Sequence, residues 1–352
     1  ISVSADAVTQ DPPNNDPDLD LPGAYYYTPV QGSIEVFNGE KLFSRPLYST
    51  VDRPERLVAW SGDRPEFMIM QTLGAKSAHK LGNFKLGYSG GPWLSEASPV
   101  LSSYYQGKHH YQVGGAKGLE VDVVRAQAFE GLLIRIKRLD SGIGPLIGAL
   151  GGRASENYDL ERGAAAFNPA ECENSSVGFT ANSVKLTGGR GLDLYATASV
   201  PLKLKAADPQ AVGSGPDAFY ASSGSGVAAL SATWPESNEI YLILTTDLPG
   251  SAPVQAYLRS PATVFADAVK AKRDLADAVQ IDTPDPYLNT SFPHAILGYN
   301  AAWNAPVFRH GAINWHLPFA GWRNLYAASV LGWHDRLWQQ VNAFIDLQHP
   351  DG

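Results

Sequence analysis

Cysteine is nearly missing from this 352-residue chain: Cys172 is the only one, which excludes an intramolecular disulfide framework and any cysteine-based zinc cluster. Charge is sparse too, at 18% of residues against 44% hydrophobic, the balance of a globular chain. Basic residues are in the minority, with Lys plus Arg at 27, Asp plus Glu at 35 and a net charge of −8. That deficit argues against a nucleic-acid groove or an anionic membrane surface as a partner. No uninterrupted apolar run approaches the ~20 residues that a membrane-spanning helix needs. Glutamate stops at Glu239, and after Pro286 the carboxylates are Asp335, Asp346 and Asp351.

Large apolar side chains are scarce in residues 1–22 (ISVSADAVTQDPPNNDPDLDLP), which are acidic and rich in Pro and Asn. Such a stretch cannot bury enough surface to fold. It reads as a flexible tether left after removal of a signal peptide, which would put the protein in a bacterial periplasm or outside the cell. An ordinary flexible chain end reads equally well.

From Ala24 to about Asp247 the pattern is that of strands. Runs such as SIEVF (33–37), RLVAW (56–60), EFMIM (66–70), LEVDVVRA (119–126), LLIRIKRL (132–139), LDLYATASV (192–200) and EIYLILTT (239–246) mix β-branched and aromatic residues at period two. Asn38-Gly39 reads as a tight hairpin, and Ser61-Gly62-Asp63, Ser89-Gly90-Gly91 and Thr187-Gly188-Gly189 as further turns. More than ten short strands without helical periods between them predict a large antiparallel β-sandwich, a domain placed at 23–250. Residues 141–176 and 206–226 read as surface loops.

After Leu248 the period changes. Residues 262–280 read as one helix, a linker within 251–286, with Phe265, Val269, Leu275 and Val279 on one stripe. Lys270, Lys272, Arg273, Asp274 and Asp277 are assigned to its other faces. TPDP (283–286) breaks the chain. Further helices are expected over 291–304, capped by Ser291 with Pro293 in the first turn, then over 322–333 and 335–348. Strands first and helices afterwards predict a mainly β protein with a C-terminal helical element. The helices are rich in apolar residues for so short a layer, so a partner chain or a C-terminal continuation is expected against them.

Five of the eight tryptophans (Trp303, Trp315, Trp322, Trp333, Trp338) and four of the eight histidines (His294, His310, His316, His334) fall between residues 294 and 338. Arg309, Asn314, Arg323 and Asp335 are interleaved with them. Indole faces stack on sugar rings and exclude water, while Arg, Asn, His and Asp supply the directional hydrogen bonds that hydroxyls demand. The expected binding residues are therefore Trp303, Arg309, His310, Asn314, Trp315, His316, Trp322, Arg323, Trp333, His334 and Asp335. Trp303 at helical spacing reads equally well as core, and Asp335 as a helix N-terminal carboxylate. His109-His110 and His310/His316 lack metal-ligand spacing, so no metal is expected. The Gly-rich segments 114–118 and 188–191 lie between strands, so no nucleotide cofactor is expected either. Cys172, beside Glu171 and Glu173, is expected to be a poor nucleophile.

The string NTSFPHAILGYNAAWNAPVFRHGAINWHLPFAGWRNLYAASVLGWHDR (289–336) resembles the opening of the (α/α)6-toroid domain of bacterial six-hairpin glycosidases, in particular a family of exported glycosidase-like proteins. NGEKLFSRPLYS (38–49) and SGDRPEF (61–67) are similar to motifs of that family's N-terminal domain. The resemblance implies a β-supersandwich, a linker helix and then the first toroid helices at 287–352. It also implies an exported glycoside hydrolase acting on a complex polysaccharide or oligosaccharide, exo-acting, with an α-L-rhamnosidase-like activity as the best single example. The chain departs from the pattern in two ways. A toroid needs about twelve helices of ~12 residues each, and glycoside hydrolysis generally needs two carboxyl groups, whereas Asp335 alone sits in the cluster. The principal catalytic carboxylates are therefore expected outside this sequence. Two other readings remain: a non-catalytic carbohydrate-binding protein, and a polysaccharide lyase, although in lyases the toroid usually comes first.

Overall fold

A computed structural model describes residues 28–30, 33–48, 56–73, 77–105, 107–154, 158–159, 166–173, 175–309 and 318–349. The tether expected over 1–22 lies outside them. The first strands are β1 (Thr28–Val30), β2 (Ser33–Phe37), β3 (Arg45–Tyr48), β4 (Arg56–Ser61), β5 (Glu66–Leu73), β6 (Ser77–Tyr88) and β7 (Val100–Tyr105). Next come β8 (Lys108–Val113), β9 (Leu119–Arg125), β10 (Gly131–Arg138), β11 (Leu146–Gly151), β12 (Tyr158–Asp159), β13 (Ser175–Thr180) and β14 (Ser183–Gly188). The remainder are β15 (Leu194–Ala198), β16 (Lys203–Ala207), β17 (Val227–Ala232), β18 (Glu239–Thr245) and the short β19 (Trp303–Asn304) and β20 (Val307–Phe308). The α-helices are α1 (Pro216–Ala221), α2 (Ala252–Arg259), α3 (Pro261–Ala276), α4 (Pro286–Ala302), α5 (Pro318–Val330) and α6 (His334–Asp346).

The strands form two large antiparallel sheets. One runs β1-β2-β7-β8-β9-β10-β18-β15-β14-β13, and the other β16-β17-β11-β6-β5-β4-β3 with β12 beside β6. The fold is a β-sandwich followed by helices, as the order of sequence patterns predicts.

Strand alternation explains how the layers stack. In β10, Leu132, Ile134 and Ile136 point into the core between the sheets, with Leu81, Phe84, Val121, Leu230 and Leu242 among their company. Leu133 points the other way and joins Val124, Tyr241 and Ile243 beneath Val254, Tyr257, Phe265 and Ala268 of α2 and α3. The outer side of the second sheet is covered as well: Ile147, Ala149, Val227 and Ala229 pack under Val212 and Phe219, around α1. Both faces of β11 and β17 are thus buried, so LIGALG and VAALSA are buried along their whole length. A strand covered on both sides has no reason to alternate.

That is why the expected loop over 141–176 contains β11, and the expected loop over 206–226 contains a 3-10 turn (Pro209–Ser214) and α1. Asn38-Gly39 is also not a hairpin. Asn38 does take a positive φ of 50°, but β2 pairs with β1 and β7 whereas β3 pairs with β4. The turn carries the chain from one sheet to the other.

The helix expected over 262–280 is α3, and a second helix, α2, precedes it within 251–286. α4 begins at Pro286, not near Ser291, because Asp285 accepts hydrogen bonds from the backbone N–H groups of Tyr287 and Leu288 and so caps the helix there. Pro293 consequently lies inside the helix. No described helix is long and apolar enough to cross a membrane.

Candidate functional site

Where α3 and α4 lie against one end of the sandwich, two cavities share Lys272 as a common wall. The first, of about 280 Å³, is lined by Arg45, Tyr104, His109, Arg125, Lys272 and His294, with Ser44 and Gly298 at exposed positions of its rim. The second, of about 330 Å³, is lined by Gln127, Lys272, Asn300, Trp303 and Arg336 together with Ala271 and Leu275. No carboxylate among the described residues lines either one.

The first cavity gathers residues from both sheets and both helices. Arg45, on the edge strand β3, forms an ion pair with buried Asp63 and lies over the Tyr104 ring, 3.7 Å from its centroid. His109 on β8 sits with Nδ1 2.5 Å from Ser61 Oγ on β4, a hydrogen bond that ties one sheet to the other. Burial, then the charge of Arg45 and then His294, hold the His109 imidazole well below its ordinary pKa, so the ring is neutral. Burial and Arg45 act on His294 in the same direction.

Arg125 ends β9 and donates from Nη2 to Glu130 at 2.9 Å, both side chains being 2% exposed. Its Nε and Nη1 are buried without a hydrogen-bond partner among the described residues. Lys272 projects from α3 into this setting, and burial followed by the charge of Arg125 brings its ammonium down to about 8. No carboxylate pairs with it among the described residues. The approach of the β7–β8 turn depends on Gly107, whose φ is +79° and whose added Cβ would lie 3.1 Å from the Lys272 Cβ. Glycine alone suits both the backbone and the space.

The second cavity rests on an aromatic stack. Tyr299 is stacked between Phe308 and Trp333, with centroids 4.7 and 5.3 Å apart, and Trp303 meets the Phe308 ring edge to face at 4.8 Å. The Arg336 guanidinium stands 4.6 Å from the Trp333 centroid and 5.5 Å from that of Trp303, and donates to Asn300 Oδ1 at 2.9 Å. Buried Gln340 accepts the Phe308 N–H at 2.8 Å, which fastens α6 to the β19–β20 hairpin.

Of the residues that the sequence nominates for sugar binding, Trp303 lines the second cavity. Trp333 is a packing residue of the stack, with Tyr299 against its ring and Arg336 above it. Arg309 follows β20, donates its backbone N–H to Ala302 and lines neither cavity. His334 and Asp335 are exposed in the first turn of α6, outside both cavities, and Asp335 stands at the positive end of the helix dipole. His310, Asn314, Trp315 and His316 lie outside the described residues, and Trp322 and Arg323 fall on α5 where only the backbone is described.

His109 and His110 point to opposite faces of β8, the latter to Asp122 at 3.0 Å, so they cannot share a metal. No cluster of metal-ligating side chains occurs among the described residues. Cys172 is buried, and that burial pushes its thiol up to about 11 against the Gly152 N–H that it accepts at 3.1 Å.

Arg45, His109, Arg125, Lys272 and His294 as a group were not nominated by sequence. One signal was available: residues 265, 268, 272 and 276 fall on one side of a helix, and three of them are buried (Phe265, Ala268, Ala276). Lys272 therefore sits on the inward stripe of α3, not on a solvent face as its charge suggests.

No family model and no curated protein matches the chain. Among solved structures it is similar to a family GH92 inverting mannosidase from Bacteroides thetaiotaomicron, at 9% identity and a TM-score of 0.39 over 70% of this chain. The chain spans 34% of the length of that mannosidase.

Proposed function

We propose that this chain forms the sandwich and first helical portion of an exported glycoside hydrolase, and that its seam binds a saccharide whose bond is cleaved by carboxyl groups from polypeptide outside these residues. The observation that carries the reading is the second cavity. It sets the Trp303 indole beside the amides of Gln127 and Asn300 and the cations of Lys272 and Arg336, the mixture of apolar surface and directed donors that holds a sugar. Its volume of about 330 Å³ lies at the small end of ligand sites and suits a single ring.

A companion segment is supported by the helices themselves. Tyr326, Val330, Trp338, Ile345 and Leu347 are all more than half exposed on or beside α5 and α6, an apolar surface of the kind that marks an interface. In this reading, α4 to α6 are the first members of an (α/α)6 toroid. An exo-acting, α-L-rhamnosidase-like activity is the specific reaction that we assign to the complete protein.

A second reading, a carbohydrate-binding protein without turnover, is favoured by the lack of a carboxylate lining either cavity among the described residues. Titration of the 352-residue chain with a panel of neutral and acidic oligosaccharides separates the outcomes. Trp303→Ala and Asn300→Ala are each expected to weaken sugar binding at least tenfold, about 1.4 kcal/mol, while Asp335→Asn leaves it unchanged. Affinity unaffected by both seam variants would overturn the saccharide reading. Turnover of the same panel by the complete gene product would decide for the hydrolase over the binding protein.

A further inference from the structure

The first cavity holds a charge that a neutral sugar would leave without a counter-ion. Arg45 is neutralised by Asp63 and Arg125 by Glu130, while His109 and His294 are held neutral. The Lys272 ammonium is the one charge lining the cavity without a counter-ion among the described residues. The described lining of the space therefore carries a net single positive charge. It also contains unanswered polar atoms: the donors Nε and Nη1 of Arg125, which is 1% exposed, and the ring nitrogen Nε2 of His294 are buried without hydrogen-bond partners among the described residues. Buried donors left unpaired are costly, so a group that accepts from them is favoured.

We propose that this cavity, between Arg45, His109, Arg125, Lys272 and His294, binds the carboxylate of a uronic acid residue, with the saccharide continuing past Lys272 to Trp303. This rests on the saccharide reading above and narrows its substrate class to acidic glycans. A single negative charge matches the single positive one. A phosphate monoester, at about −1.5 to −2 near neutral pH, would bring an excess of charge into a site of about 280 Å³. A neutral hexose would leave the ammonium and the Arg125 donors unanswered. The neutral imidazoles each offer one donor and one acceptor, which suits the hydroxyls that flank a sugar carboxylate. Lys272 lines both cavities, and in this proposal its ammonium stands between the sugar carboxylate in the first and the ring beside Trp303 in the second.

The pH response follows from the groups around the ammonium. Lys272 on α3 is faced by Arg125 from β9, Arg45 from β3, Tyr104 from β7, His109 from β8, His294 from α4 and, across the second cavity, Arg336 from α6. With two neutral imidazoles and no facing carboxylate, the ammonium loses its proton as pH rises through about 8, and a bound carboxylate opposes that loss. Affinity for the anion is therefore expected to be full at pH 7 and to fall toward pH 10.

The test is calorimetric titration of the full chain with D-galacturonate, D-galactose and inorganic phosphate at pH 7 and pH 10. The expected result is galacturonate at least tenfold tighter than galactose at pH 7, with the gap closing at pH 10. Lys272→Met should abolish the gap and Lys272→Arg retain it, with circular dichroism confirming the fold of each. The comparison between pH values uses the unmodified chain and stands if the Met variant fails to fold. Galactose bound as tightly as galacturonate overturns the acidic-sugar proposal and leaves the saccharide reading intact. Phosphate bound as tightly as galacturonate, with no binding of galactose, overturns both, and so does the absence of binding by all three.

Discussion

The Asp122 carboxylate, 1% exposed on β9, is the point where Lys108, Arg135 and His110 converge. Lys108 Nζ lies 2.8 Å away, Arg135 Nη2 2.9 Å and His110 Nδ1 3.0 Å. Burial alone would push its pKa up, but the His110 hydrogen bond and the charges of Lys108 and Arg135 bring it down to about 2 from 3.8. A carboxyl whose folded value is depressed stabilises the native state above its unfolded value and loses that contribution as pH falls through the folded one. Asp122→Asn is therefore expected to cost about 2 kcal/mol at pH 7, with the difference shrinking toward pH 2. Urea midpoints of both proteins at the two pH values check it, and an equal deficit at both would contradict the electrostatic account. Residues of this type are poorly legible in sequence. Asp122 reads as one polar position of LEVDVVRA, and nothing local reveals that two cations and an imidazole from β8 and β10 converge on it. The same holds for Lys272, whose type suggests solvent although its position on the helix wheel points inward.

Among the elements, α3 decides whether the seam exists. Phe265 and Ala268 seat it on Tyr241, Leu133 and Val124 of the ten-stranded sheet, with the Tyr241 and Phe265 rings edge to face at 6.1 Å. Phe265→Ala is expected to cost about 3–5 kcal/mol. Amide-exchange protection should then drop first in α2 and α3, while the strands of the inner core keep theirs. Uniform loss across the chain would show that the helices and the sandwich unfold as one unit. The seating residue was legible, since Phe265 stands on the stripe read from 262–280. Boundaries were not, because they depend on caps. Asp285 caps α4 six residues before Ser291 would have, and TPDP, read as a break, is the helix's own N-terminus. Period two marked β10, β9 and β18 correctly, but it is silent on β11, where both faces are covered.

For the whole molecule, the order of strands then helices was enough to predict the sandwich, because each apolar face must find a cover. What the order could not show is which ends of which strands meet the helices, and therefore where a cavity opens. The uncovered surface of α5 and α6 has a measurable consequence. The chain in isolation is expected to bind an apolar dye such as anilinonaphthalene sulfonate at this face. Trp338→Ser, a position 62% exposed, should reduce the dye signal by about half without altering far-UV circular dichroism. A dye signal indifferent to that substitution would place the apolar surface elsewhere.

The first cavity takes its walls from positions 45, 109, 125, 272 and 294, with some 250 residues between the first and the last. Closing a loop of that length carries an entropic cost that local pairing must precede. The hairpins can form early from near neighbours, whereas the cavity requires both sheets to be stacked and α3 and α4 already docked. Any ligand held there would act as a clamp between the two sheets and α3 and α4, slowing the release of those helices and leaving the hairpins beneath to form at their own pace.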